Sequence, residues 1–372
     1  MKIALLTFHN AINYGAALQV YASQKAIQEL GAECEVIDYV NEHRKNAYNM
    51  FEQAKKNLKE KKMISSAKVL VGTPFMSSRR KKFLEFYNEN LECTDKQFTN
   101  SKEAKALNGL YDKFIVGSDQ VWNYINNGSD FSFLLNFVED DNQKISYSSS
   151  FGLANIPDNL KDKYIENLNK IKYLSTREEY GVNLINDLTG RKAELVLDPV
   201  FLLDKNQWLS LCNKSNNKEK YIFAYTNRSG QWEEFLERTS YPMNGKKVYK
   251  ISRHLTPKDF ISRQVKVSYS ISPVEFIETI ANAELVVSAS FHCIAMSIIL
   301  NKPFVAILTG DCGKDERVIN ILKIAGLENR ILSPKMTAAD VVTPIDYQHV
   351  EERVSKYINR SKDFLKQAIF SN

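Results

Sequence analysis

The chain has 372 residues, 44% of them hydrophobic and 25% charged, with a net charge of +6. That length predicts two domains rather than one core, the apolar content excludes a disordered chain, and so mild a positive excess gives nucleic-acid binding little support. The five cysteines (Cys34, Cys93, Cys212, Cys293, Cys312) are scattered with no CxxC pair, which argues against a zinc site or a disulfide framework and fits a reducing compartment.

The opening "KIALLTF" is rich in strand-forming residues and predicts a first strand. Its apolar run is too short for a signal peptide, so a cytoplasmic location is expected. The polar loop "NAINYG" follows, with Gly15 as its turn residue, then "AALQVYASQKAIQEL", whose apolar residues recur at helical spacing up to Gly31. "CEVIDYV" predicts the next strand and completes a βαβ unit, the building block of parallel sheets. Residues 53–105 hold thirteen Lys or Arg against six Asp or Glu. They read as a basic helical insert: a solvated excursion, or a face for an anionic membrane surface.

The β/α rhythm then resumes. "KFIVGS" and "KISYSSSFG" predict strands, "LKDKYIENLNKI" a helix, "KYLSTREE" a strand running into a helix, and "ELVLDPVFLL" a further strand. The polar stretch "LCNKSNNKEK" reads as a linker. It separates a first domain over 1–204 from a second over 218–345. The second half repeats the pattern: "YIFAYT", "KKVYKIS", "VKVSYS", "ELVVSAS" and "PFVAIL" as strands, with "GQWEEFLERTS", "SPVEFIETIANA", "FHCIAMSIILN" and "DERVINILKIAGL" as helices. Residues 346–372 predict a long helix that packs back on the first domain. The expected class is α/β, two Rossmann-like domains facing a cleft.

No GxxxxGK[ST] or GxGxxG loop, no HExxH, no clustered metal ligands and no GxSxG elbow occur. Any chemistry must come from scattered residues at strand ends, where open α/β sheets bind ligands. His292 in "SASFHC" follows an apolar strand and opens a helix. It is either a satisfied core histidine or a residue at a natural anion site, where the helix end lowers its pKa and a bound anion raises it. Lys314 and Arg317 in "TGDCGKDER", and Arg177 in "STREE", occupy comparable places. The competing reading is a polar connection for the first two and a surface ion pair with Glu178 or Glu179 for Arg177. "VGSDQVWN" puts Ser118, Asp119, Gln120, Trp122 and Asn123 after a strand, a mixture of hydrogen-bonding and aromatic groups suited to a sugar, with a helix N-cap as the bland alternative for Ser118 or Asp119. "FHNAINYG" puts His9, Asn10, Asn13 and Tyr14 on the first βα loop.

Taken together and in order, "LLTFHNAINYGAALQVYA", "FIVGSDQVWN", "YSSSFG", "STREEYG", "VLDPVFLL" and "SASFHCIAMSIILNKPF" resemble the polysaccharide pyruvyl transferase family over nearly the whole chain. Where the family usually has Ser-Phe-His-Gly, this chain has Cys293 in place of the glycine. The resemblance implies the glycosyltransferase type B (GT-B) fold. It also implies transfer of a pyruvyl group from phosphoenolpyruvate to two hydroxyls of a sugar, with a carboxyethylidene ketal as product and phosphate released. The donor side is then the second domain, and the acceptor, a galactose-type and lipid-linked sugar of a capsular or exopolysaccharide repeat, belongs to the first.

That reaction needs cations for the donor's carboxylate and phosphate, and an acid for its methylene carbon. His292 is the expected acid, Arg177 an anion anchor and Asp119 a base or orienting group toward the sugar. Phosphoenolpyruvate is expected to meet Arg177, Ser290, His292, Lys314 and Arg317. The acceptor is expected to meet His9, Asn10, Asn13, Tyr14, Ser118, Gln120, Trp122 and Asn123. No metal and no cofactor beyond the donor substrate is expected. The partners are the two substrates, an anionic membrane surface at the inner face of the cell membrane, and no nucleic acid, with homo-oligomerisation open. A nucleotide-sugar glycosyltransferase on the same fold is the alternative enzyme. A non-catalytic component of a polysaccharide machine is the alternative without chemistry.

Overall fold

The computed structural model describes residues 1–41, 43, 63–128, 130–153, 155–212, 219–226, 228, 230–251, 265–310 and 312–371, without the side chains of 63–76 and 312–314. The chain divides into two compact units. The first comprises Met1–Lys61, Tyr87–Leu203 and Lys356–Asn372, and the second Lys62–Phe86 and Asp204–Ser355. Residues 62–86 of the basic insert therefore group with the second unit, and the remainder of 53–105 with the first, to which the sequence assigned the whole insert. Residues 53–62 lie outside the described residues.

In the first unit, strands β1 (Lys2–Leu6), β2 (Glu33–Val36), β3 (Lys113–Val116) and β4 (Lys144–Ser146) form a parallel sheet in the order β2-β1-β3-β4. A short parallel pair, β5 (Ser175–Thr176) and β6 (Glu194–Leu195), continues beside β4 through bridges at Ile145–Tyr173 and Ser149–Thr176. Ile3, Leu5, Phe114, Ile115 and Val116 are all buried, as expected of central parallel strands covered on both faces. Helix α1 (Tyr14–Glu29) starts at Asn13, whose side chain accepts the Ala16 N–H. Gly15 thus lies inside the helix and is not the turn residue the loop suggested. The predicted strand "ELVLDPVFLL" is extended only at β6; Pro199 then initiates a 3-10 turn over Pro199–Leu202, capped by Asp198.

The second unit is a five-stranded parallel sheet of β7 (Tyr221–Tyr225), β8 (Lys247–Ile251), β9 (Val265–Ser268), β10 (Leu285–Ser288) and β11 (Phe304–Ala306), in the order β11-β10-β7-β8-β9. The chain moves outward from β7 in one direction, then returns to β7's other side with β10. This reversal is the switch point at which open α/β sheets leave a ligand crevice. In the first sheet the corresponding reversal lies between β1 and β3. Helix α2 (Met63–Asn90) realises the helical insert, and its Lys82 is paired with Glu275 at 2.8 Å in the second unit. No helix among the described residues is long and apolar enough to cross a membrane.

Candidate functional site

The chemistry-bearing residues gather at the carboxyl ends of the strands beside each switch point. In the second unit, helix α3 (Phe291–Ile299) follows β10 after two residues, and His292 lies in its first turn, 8% exposed. The turn is held by Ser288, whose hydroxyl donates to Tyr225 O at 2.8 Å and accepts the Ser290 N–H at 3.0 Å. Ser290 is the N-cap residue, yet its side chain does not cap the helix, so that end keeps its positive character. The Arg317 guanidinium stands 5.8 Å above the Phe291 ring, bringing a cation to the residue next to His292. The loop before Arg317 is occupied from within: Asp315 accepts the N–H groups of Thr309 and Gly310, each at 2.7 Å. The Lys314 side chain lies outside the described residues.

Cys293, next to His292, is fully buried. Burial pushes its thiol up to about 12, partly countered by a hydrogen bond with Ser288. It is a packing residue that also steadies the turn carrying His292.

In the first unit, Asp119 follows β3 with a φ of +74° and a side chain 19% exposed. Arg177, at the end of β5, donates to Asp119 Oδ1 at 3.0 Å and to Asp198 Oδ2 at 2.8 Å, with Glu178 at 3.6 Å. Its side chain is only 1% exposed. Burial opposes its charge, but Asp119, Asp198 and Glu178 outweigh that effect and raise its pKa, so the guanidinium is a permanent cation. Both terminal nitrogens of Arg177 are thus turned to carboxylates, and its side chain links Asp119 to Asp198.

Several residues expected to touch a sugar serve the fold instead. Trp122 is 1% exposed, packs on Phe151 at 5.0 Å and donates its indole N–H to Phe133 O at 2.9 Å, so it offers no ring face. Ser118 is buried, with its hydroxyl 3.0 Å from Ser148 O and 3.2 Å from Asp198 Oδ2. Asn123 and Asn13 cap helices, and Tyr14 is buried in α1. Both ring nitrogens of His9 face acceptors, Asp38 Oδ1 at 2.9 Å and Thr7 O at 3.4 Å. Asn10 and Gln120 keep partly exposed side chains, Gln120 lying against Gly152. Asp198 is the member of this cluster that received no role from the sequence; an acid directly before a proline at a strand end was its only signal. Among the described residues, no group of three or more His, Cys, Asp or Glu could hold a metal ion.

The family model for polysaccharide pyruvyl transferase matches residues 13–311. The chain belongs to this family. No curated protein matches it in sequence. Among solved structures it is similar to a putative UDP-N-acetylglucosamine 2-epimerase from Listeria monocytogenes, with 10% identity, 99% of this chain and 90% of that chain covered, and a TM-score of 0.50. It is also similar to the UDP-GlcNAc 2-epimerase of Methanocaldococcus jannaschii (12% identity, 97% and 94% covered, TM-score 0.48) and to E. coli heptosyltransferase WaaC (13% identity, 96% and 100% covered, TM-score 0.39). The Listeria likeness shows the fold, an α/β architecture of the GT-B class. This member of the polysaccharide pyruvyl transferase family thus carries His292 at the switch point of the second sheet.

Proposed function

We propose that the protein transfers the pyruvyl group of phosphoenolpyruvate to two hydroxyls of a polysaccharide-precursor sugar. The methylene carbon takes a proton and becomes the methyl group, the first hydroxyl attacks the resulting cationic carbon, and the second displaces phosphate to close the ketal. The observation that carries this reading is His292 in the first turn of α3 at the switch point, in a chain of the pyruvyl transferase family. A helix end attracts the donor's anionic groups, and a histidine is the side chain suited to give a proton near neutrality. Ser290 and Arg317 are the proposed donor contacts beside it, with Lys314 proposed as a further donor cation from its place in the sequence.

In the first unit, Asp119 is the proposed group that takes the proton of the attacking hydroxyl, oriented by Arg177 at 3.0 Å. Asn10 and Gln120, partly exposed on the same sheet edge, are the proposed acceptor contacts. The acceptor is a galactose-type sugar, lipid-linked in the cell.

The test is a purified-protein assay with phosphoenolpyruvate and a panel of lipid-linked and p-nitrophenyl galactosides. Phosphate release is expected together with a product heavier by one pyruvic acid less water. His292→Ala should lower the rate by about 100-fold or more, the usual scale of general acid catalysis. No release with any acceptor would sink the proposal. A melting temperature raised by a nucleoside diphosphate but not by phosphoenolpyruvate would favour a nucleotide-sugar glycosyltransferase.

A further inference from the structure

We propose that Asp198, buried behind Asp119, is a positioning residue that sets the place and direction of the Asp119 carboxylate; this rests on the reading of Asp119 as the proton acceptor. Asp198 is 2% exposed and cannot meet substrate itself. Its two oxygens have separate tasks. Oδ1 accepts the Val200 N–H at 3.2 Å and caps the 3-10 turn. Oδ2 accepts from Arg177 at 2.8 Å and lies 3.2 Å from the Ser118 hydroxyl, whose single proton also faces Ser148 O at 3.0 Å and Ser148 Oγ at 3.1 Å. Arg177 in turn holds the Asp119 side chain, and Ser118 is the neighbour of Asp119 in the chain. One buried oxygen therefore reaches Asp119 by two routes, through its side chain and through its backbone.

Asp119 needs such support. A φ of +74° is unfavourable for a residue with a Cβ and persists only where the surroundings dictate it. Asp198 is itself fixed from two sides. Leu197 N–H donates to Ser361 Oγ at 2.9 Å, and Tyr147 OH donates to Leu197 O at 3.2 Å. A turn cap alone needs only Oδ1; the ion pair on Oδ2 compensates the buried Arg177 charge and, through Arg177, also reaches Asp119.

Asp198→Asn replaces one carboxylate oxygen by a donor and removes the charge while keeping the shape. The assay is steady-state phosphate release from phosphoenolpyruvate with p-nitrophenyl galactoside, using the full chain with Asp198→Asn, Asp119→Asn and the double variant. A loss of kcat of about 10- to 100-fold is expected for Asp198→Asn, the scale of a misplaced reacting group. KM for phosphoenolpyruvate should stay within about 3-fold, because the uniform binding of the donor is untouched. The loss should vanish in the Asp119→Asn background, since Asp198 then has nothing to position. A loss that multiplies in the double variant, or one confined to KM, overturns the proposal. If Asp119→Asn leaves kcat unchanged, the reading of Asp119 fails, and the proposal with it; if only Asp198→Asn is silent, the positioning role alone fails. Should Asp198→Asn not fold, Ser118→Ala cuts one of the two routes and is judged by the same cycle. A crystal structure of Asp198→Asn decides the matter without turnover: a displaced Asp119 carboxylate supports the proposal, and an unchanged Arg177–Asp119 pair overturns it.

Discussion

Gly117→Ala should disrupt the first-unit site severely. Gly117 joins β3 to the Ser118–Asp119 segment with a φ of +117°. A Cβ there would lie 2.1 Å from Tyr147 O and 2.7 Å from Ser149 Oγ. Neither neighbour is free to retreat: Tyr147 N–H and the Ser149 hydroxyl both donate to Val116 O at 2.9 Å. The backbone conformation costs an alanine about 1–3 kcal/mol, and forcing a methyl group into packed backbone adds about 1–3 kcal/mol. The sum is about 4 kcal/mol, which for a unit of this size lowers Tm by about 8–16 °C. The loop that carries Asp119 must also shift, so residual activity at permissive temperature should fall by about 100-fold. Scanning calorimetry with the phosphate-release assay measures both. A variant that melts within about 2 °C of the parent and turns over normally would refute the reasoning.

Three further outcomes are expected. Ser361→Ala removes the buried acceptor of Leu197 N–H and should cost about 1–3 kcal/mol in urea denaturation; an unchanged midpoint would show that this hydrogen bond does not hold the Asp198 segment. The Cys293 thiol, pushed up to about 12 mainly by burial, should resist a thiol reagent at neutral pH until the protein unfolds, and Cys293→Gly should destabilise by about 1 kcal/mol or more, since glycine is a poor helix former; rapid native labelling of Cys293 would contradict its burial. Burial alone would raise the Asp38 carboxyl, but the hydrogen bond and charge of His9, with Gln97, hold it below its ordinary value. A depressed carboxylate adds stability that is present above its unfolded pKa and lost as pH falls through the folded one, so Asp38→Asn should flatten the stability loss below about pH 4. A variant as acid-labile as the parent would exclude that pair as a source.

How far the sequence could be read depended on whether the relevant interaction is local. Helix α1, the strands of the second sheet and the turn before His292 follow from periodicity and from strand-to-helix punctuation, which depend on neighbours a few residues apart. "VLDPVFLL" looked like a continuous strand because its apolar residues are all buried, but Val200, Phe201 and Leu202 are buried in a 3-10 turn; burial alone does not distinguish the two. Trp122 reads as a sugar platform from sequence, but a tryptophan among polar residues stacks on a sugar only if a face stays open, and this one is 1% exposed, packed on Phe151 with its N–H given to Phe133 O.

Arg177 shows the same limit for charge. An arginine at a strand end is a sound indication that an anion lies nearby, and three do, at 2.8, 3.0 and 3.6 Å. Whether those anions are substrate or protein depends on Asp119 and Asp198, which the topology brings from the ends of β3 and β6. A buried guanidinium facing only substrate would be a costly unpaired charge whenever the site was empty. One already held by carboxylates keeps its geometry with or without ligand, and passes it to the one member of the cluster with an exposed edge, Asp119.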